Sequence, residues 1–415
     1  MKKTVSILLS LLAAAAISSC TVSDDLDDSF PEGPKGEGYD PSSYGERTDD
    51  GGDVPTPGEG GEGEGESTGN GQAGRVTAGE WNDLNHWTFW SNLMTGQEYS
   101  EMSGYWKFWT NNRVAFRVSD KEGKPISGVT LSLERGGSVI WTAVTDNRGR
   151  ADGWIGLTQK EEKPTGISLR INGKDWEGTP AITTWDTTEQ QLQMNEIVLE
   201  GVSPAAEKAD IAFIVDATGS MGDEIAFLKE DLLDILKKVD ALQSSVTFRT
   251  GALFYRDEGD DYVTRTNDFT TDFSKTTAFI AKQDANGGGD YPEAVHTALE
   301  VGLQQLSWDE NAKTRLAFML LDAPAHHRDD VIQSLQKSIP LYAKQGIRII
   351  PIAASGVDKS TEFMLRFFAV TTGGTYVFIT NDSGIGGDHI AASVGDYEVE
   401  LLNELIVRLI KEYTD

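Results

Sequence analysis

The stretch Ile211-Ala212-Phe213-Ile214-Val215-Asp216-Ala217-Thr218-Gly219-Ser220-Met221-Gly222 decides how this chain is read. Five apolar residues in succession predict a short strand buried on both faces. The run ends on Asp216, and Thr218 and Ser220 follow at alternate positions. Ile225, Leu228, Leu232, Ile235, Leu236 and Val239 then recur at three- and four-residue steps, the period of an amphipathic helix that starts at once. One carboxylate and two hydroxyls therefore sit where a strand's C-terminal end turns into a helix. Open α/β sheets hold their ligands at such turns. Asp-x-Thr-x-Ser offers one charged and two neutral oxygens to a single point, a donor set suited to a hard cation such as Mg²⁺ that keeps water in its remaining positions.

Outward from this stretch, strands and helices alternate from Ala209 to the C-terminus. Strands are expected at 246–255, near 262–269, at Arg315 to Leu321 (followed by Asp322), at Ile347 to Ala353 and at Tyr376 to Thr380. Helices are expected near 272–283, from Pro292 to about Trp308, near 329–345 up to Gly346, near 361–371 up to Gly373-Gly374, and from Tyr397 to Tyr413. Pro292 would occupy the first turn of its helix, where a missing N–H is harmless. Strands spaced by helices imply right-handed crossovers and a Rossmann-like, doubly wound, mostly parallel α/β sheet.

Upstream, residues 112–201 change to short alternating strands with frequent turns, such as Asp120-Lys121-Glu122-Gly123-Lys124-Pro125 and Thr145-Asp146-Asn147-Arg148-Gly149-Arg150, the pattern of an all-β sandwich. Residues 77–111 are dense in aromatics: Trp81, Trp87, Phe89, Trp90, Tyr99, Tyr105, Trp106, Phe108 and Trp109. They suit either a segment that packs its rings on a neighbouring domain or an exposed platform for ligands. Between residues 24 and 66 there are fifteen acidic and two basic residues among Gly, Pro and Ser, so the 20–76 stretch is expected to be a disordered, self-repelling tether.

Two resemblances sharpen this reading. Asp216-Ala217-Thr218-Gly219-Ser220-Met221 is similar to the first motif of von Willebrand factor type A domains, and the likeness covers about 209–413, nearly half of the 415 residues. The family pattern of Asp-x-Ser-x-Ser, a second-loop threonine and a third-loop aspartate implies a metal-ion-dependent adhesion site. Carried over, it implies Asp216, Thr218 and Ser220 as ligands, Asp322 in Leu320-Leu321-Asp322-Ala323-Pro324 as the third-loop carboxylate, and Asp290 in Gly289-Asp290-Tyr291-Pro292-Glu293 at the second-loop position. Asp290 departs from the usual threonine. A further carboxylate there would admit Mn²⁺ or Ca²⁺ alongside Mg²⁺; alternatively Asp290 caps the next helix and Glu293 or water takes its place. The resemblance implies binding of a protein ligand through an acidic side chain, not turnover. The 112–201 region, in turn, looks like the Ig-like sandwiches of the carboxypeptidase-regulatory kind, which serve as spacers or packing partners.

The single cysteine, Cys20, follows Lys2-Lys3, an apolar run from Val5 to Ile17, and Ser18-Ser19. This resembles a bacterial lipoprotein signal over residues 1–19, and it implies lipidation of Cys20 and a place at the outer membrane. The acidic cluster after Cys20 resembles the export signal of surface lipoproteins, which points to the cell surface. A net charge of −30 argues against a nucleic-acid partner. Nucleophilic enzyme classes lack their signatures: there is no phosphate loop, no Gly-x-Ser-x-Gly elbow and no free cysteine. Three functions follow in order. The first is a metal-dependent binding module, the second a metal-dependent hydrolase using the same carboxylates with His326, and the third a structural part of an envelope assembly.

Overall fold

The computed structural model describes residues 72–415 apart from 161, 187–190, 203–204 and 243. Residues 1–71, with Cys20, the signal-like segment and nearly all of the acidic tether, lie outside the described residues. The described ones form a single compact unit.

The deciding stretch is the C-terminal half of the strand Ala206–Asp216, which lies inside an eight-stranded sheet. It pairs in parallel with Thr247–Tyr255 on one side and Ala312–Leu321 on the other. Ile347–Ala353 and then Tyr376–Ile379 continue the parallel order. Side chains alternate between the two faces of the sheet, as the pleat requires. Ile211, Phe213 and Val215 point with Leu316, Phe318 and Leu320 into one core, while Ile214 joins Ala317, Met319 and Leu321 in the other. The first core is closed by the apolar stripes of helices Ile225–Asp240, Phe273–Ile280 and Leu402–Thr414. The second is closed by Val295–Gln305, Asp329–Lys344 and Lys359–Thr372. Gly373, at φ +80°, ends the last of these in the left-handed conformation that favours glycine.

Three boundaries differ from the sequence expectation. A 3₁₀ turn, Gly219–Asp223, separates Asp216 from its helix, which begins at Ile225 rather than at once. The helix expected from Pro292 starts at Val295, because Glu293 is held back by a backbone bond to Pro324 O (2.8 Å) and a bridge to Ala325. The C-terminal helix starts at Leu402, since Glu400–Leu401 is drawn into the sheet as an edge strand.

That edge strand pairs with an element the sequence does not announce. Thr77–Trp81, from the front of the aromatic segment, runs antiparallel between Tyr376–Ile379 and Glu400–Leu401. Gly79 is obligatory there: a Cβ would lie 2.7 Å from the Phe378 ring and 2.6 Å from that of Tyr397. Two helices follow, Trp87–Thr95 and Gln97–Trp106. Trp90, Tyr99, Trp106 and Phe108 are buried in the core of the 359–372 helix, with Phe108 stacked on Phe367 at 4.1 Å.

Residues 113–198 build a two-stranded ribbon, Trp185–Asp186 with Gln191–Leu192, and two small sheets. One orders Arg150–Trp154, Arg113–Ser119 and Asn195–Val198; the other orders Ser138–Val144, Thr130–Arg135, Ile167–Ile171 and Lys174–Asp175. Val114, Phe116, Leu131, Leu133 and Trp141 share one core, which is continuous with that of the α/β region. The turns are Asx turns: Asp120 Oδ1 accepts from Glu122 N and Lys124 N, and Asp146 Oδ1 from Arg148 N and Arg150 N. Asn147 reaches Glu412 O (2.8 Å) and Arg348 reaches Val144 O (3.3 Å), so this region is packed against the α/β region.

Candidate metal centre

Asp216 closes the strand Ala206–Asp216 and is fully buried. Its Oδ1 accepts from Thr218 N (2.9 Å) and Thr218 Oγ1 (2.7 Å), and Thr218 Oγ1 lies 3.2 Å from Ser220 Oγ. The three residues expected from the first motif are thus gathered at one point. Asp216 Oδ2 is buried and makes no hydrogen bond; the Tyr255 hydroxyl faces the carboxyl without an aligned bond and is itself unbonded. Asp322 follows the neighbouring strand Ala312–Leu321, and its charge is felt at Asp216. Burial first, then Asp322, pushes the Asp216 carboxyl up to about 7.

On the second loop the structure buries Glu293, the alternative to Asp290 in the sequence reading, and leaves Asp290 at the surface. Asp290 is exposed, and it caps no helix, the N-cap position of Val295–Gln305 being Ala294. Gly287 and Gly288, at φ +80° and +74°, take the left-handed conformation just before Asp290. Glu293, pinned to the third loop, is only 2 % exposed, and its Oε1 would lie 3.0 Å from a Cβ on Gly288, where Thr218 also packs. Burial, followed by the charges of Asp216, Asp257 and Asp322, pushes Glu293 up to about 9. Its Oε2 is buried and unbonded.

Three buried carboxyl groups therefore feel one another's charge. Neither Asp216 nor Glu293 has a Lys or Arg partner among the described residues. Such a group must take up protons or a cation, because buried charge without a counter-charge is costly. Among the described residues, no three His, Cys, Asp or Glu side chains come close enough together to form a ready-made cage. The donor set is mixed instead: carboxylate oxygens of Asp216, Asp322 and Glu293 with hydroxyls of Thr218 and Ser220. Mixed sets that leave room for water suit Mg²⁺ better than a closed cage does. The orphaned oxygens of Asp216 and Glu293 are the observation that fits a divalent ion here.

The supporting loops are fastened to one another. Asp260 Oδ2 accepts from Asp257 N (3.1 Å) and Gly288 N (2.9 Å), and Gly219 N donates to Gly287 O (3.1 Å). Glu224, after the first motif, accepts from Ser355 N (2.8 Å) and Ser355 Oγ (3.1 Å), with His389 Nε2 3.4 Å away. His326 is held by Asp257 Oδ1 at 2.7 Å, and His327 stacks on Tyr105. Sequence reasoning missed Glu224, Tyr255, Asp257 and Asp260. The only signal for the last two was the acidic run Asp257-Glu258-Gly259-Asp260-Asp261 just past a strand.

Residues 210–376 match the family model of the von Willebrand factor A domain, so a von Willebrand factor A domain is present in this chain. Such a domain points to protein interaction or adhesion. A protein of Acanthamoeba polyphaga mimivirus named as ariadne-like RING finger protein R811 is 32% identical over 190 residues, 42% of this chain and 18% of that protein. Alpha-protein kinase vwkA of Dictyostelium discoideum is 30% identical over 149 residues, 35% of this chain and 23% of its own length. The chain thus spans about a fifth of the length of these curated relatives. A solved structure, conserved hypothetical protein BatB from Bacteroides thetaiotaomicron, is similar over 49% of this chain and 98% of its own, with 13% identity and a TM-score of 0.34.

Proposed function

We propose that this chain binds a protein ligand through a divalent-metal-dependent adhesion site in its von Willebrand factor A domain. The observation that carries this reading is the set of buried, unbonded carboxylate oxygens on Asp216 and Glu293, beside the Thr218 and Ser220 hydroxyls and facing Asp322. Asp216, Thr218, Ser220, Asp322 and Glu293 would hold Mg²⁺, Mn²⁺ or Ca²⁺, with Asp290 left at the rim. The ion would supply an open coordination position that an acidic side chain of the ligand completes. Thr218 orients Asp216 through its two hydrogen bonds, and Glu224 holds the first loop against Ser355.

The rest of the chain fits a surface protein. Cys20 and the sequence before it resemble a lipoprotein signal, the acidic stretch would hold the ordered part away from an outer membrane, and the 112–201 sheets would form an Ig-like packing partner. His326 Nε2 pairs with Asp257, so the hydrolase alternative would have to use the ring's other nitrogen.

Calorimetric titration of Mg²⁺, Mn²⁺ and Ca²⁺ into the full chain and its Asp216→Ala variant tests the site. Saturable binding, lost in the variant, is the expected result; equal heats from both chains would sink the reading.

A further inference from the structure

The aromatic segment lies outside the von Willebrand factor A domain, yet one of its residues reaches the rim of the metal loops. Tyr105, near the end of helix Gln97–Trp106, stacks on His327 of the third metal loop with ring centroids 3.5 Å apart and planes inclined by 16°. His327 Nε2 lies 2.9 Å from Tyr105 O, Trp106 Nε1 donates to Ser360 Oγ at 3.0 Å, and Lys107 pairs with Asp329 at 2.6 Å. The ring is thus held in place but remains 46% exposed. Tyr291, on the second metal loop, is 43% exposed. Its hydroxyl donates to Gly356 O (3.0 Å) and accepts from Asp358 N (3.2 Å). The exposed Asp358 carboxylate is felt by both phenols, which burial in the first place, and this charge in addition, push up. Tyr291 also feels Asp322, so this patch borders the metal centre.

The rim is short of positive charge. Its cations are already engaged: Lys107 with Asp329, Arg328 with Glu258 and Asp330, and Lys359, next to Asp358, with Glu362. The exposed Asp261, Asp290 and Asp358 have no Lys or Arg partner among the described residues. Two fixed aromatic rings beside an exposed carboxylate are a receptor for an ammonium or guanidinium group, which gains from both ring face and charge.

We propose that the ligand face is composite, with Tyr105 and Tyr291 around Asp358 forming a cation-accepting shoulder beside the metal centre, and that the partner is a polypeptide segment presenting a carboxylate to the metal and a lysine or arginine to this shoulder. The proposal rests on the metal-dependent reading above. It assigns a binding role to a helix that the family domain does not contain, and rings already held in place cost little ordering entropy when they bind.

The test is a random peptide library displayed on phage, selected on the immobilised full chain in Mg²⁺ and eluted with EDTA. Each selected peptide is then titrated calorimetrically against wild type, Tyr105→Ala, Tyr291→Ala, Tyr105→Phe and Asp216→Ala, with Mg²⁺ affinity measured for every variant. Expected are peptides that combine Asp or Glu with Lys or Arg. Their affinity should fall about tenfold in Tyr105→Ala and in Tyr291→Ala. Tyr105→Phe, which keeps the ring face, should bind nearly as wild type, and Mg²⁺ affinity should be unchanged in both Tyr105 variants. EDTA-eluted acidic peptides without enriched Lys or Arg, unaffected by Tyr105→Ala, would overturn the shoulder and leave the metal reading standing. Peptides indifferent to EDTA and to Asp216→Ala, or no EDTA-elutable peptide at all, would overturn both.

Discussion

Two places in this molecule bury several acidic side chains, and they treat them in opposite ways. At the junction between the aromatic segment and helix Lys359–Thr372, Asp83 and Glu362 are buried with all their oxygens engaged. Arg366 grips Asp83 through Nε (2.9 Å) and Nη2 (2.6 Å), and Trp81 Nε1 adds a third bond at 2.9 Å. Glu362 accepts from Ser393 N (2.6 Å) and Lys359 Nζ (2.9 Å). At the ends of the parallel strands, Asp216 and Glu293 are as deeply buried but keep unbonded oxygens. A chain that can satisfy buried carboxylates so fully in one place, and leaves them unsatisfied in another, marks the second place as built for something that comes from outside.

The contrast is easiest to break at the satisfied end. Asp83→Ala leaves the fully buried Arg366 charge with only the longer Glu362 contact (3.5 Å) as its ion-pair partner, and it should cost about 3 kcal/mol of unfolding free energy in a denaturant titration. A loss below about 1 kcal/mol would show that the junction is ornamental. At the unsatisfied end the sign reverses. Asp216→Asn removes a buried charge while keeping an acceptor for Thr218, so without metal it should raise stability at pH 8 by about 1–2 kcal/mol. The same variant should lose the upward shift in melting temperature that Mg²⁺ gives the wild type. Thermal melts with and without Mg²⁺ measure both effects, and a destabilised metal-free variant would contradict the contrast.

Asp231 offers a smaller, intermediate case. Its Oδ1 accepts from Gly74 N at 2.6 Å, its Oδ2 is buried and unbonded, and burial pushes its pKa up to about 6. The folded value lies above the unfolded one. Its stabilising share is therefore complete below about pH 4 and lost as pH rises through about 6. Asp231→Asn should match wild type at pH 4 and exceed it slightly at pH 8, and an unchanged pH profile would remove Asp231 from the comparison.

How much of this was legible in the sequence depends on how local the signal was. Strands buried on both faces write themselves as unbroken apolar runs, so Ile347–Ala353 has the expected limits and Asp216 ends its strand as read. The oxygens of Asp216, Thr218 and Ser220 meet because their spacing alone brings them together. Asp290 and Glu293 are three residues apart in one loop, and which of them turns inward is decided by the bond from Glu293 N to Pro324 O, a contact no local pattern encodes. Rings such as Trp90 and Trp106 have the same composition whether buried or exposed, so only the fold distinguishes them from Tyr105. The strand Thr77–Trp81 is five residues with one glycine and no clear alternation, and its partners lie about three hundred positions away.

That strand has a consequence for how the chain is made. Thr77 Oγ1 meets Thr380 Oγ1 across 303 positions, and Ala78 pairs with both Ile379 and Glu400. During synthesis these residues leave the ribosome roughly three hundred positions ahead of both of their neighbours in the sheet. Until then the strand has no place in the sheet, and the Trp81 and Asp83 side chains that follow have no core to enter. Contacts of such long range slow folding, because loop closure must precede any gain from pairing. A strand made early is thus among the last to be locked in.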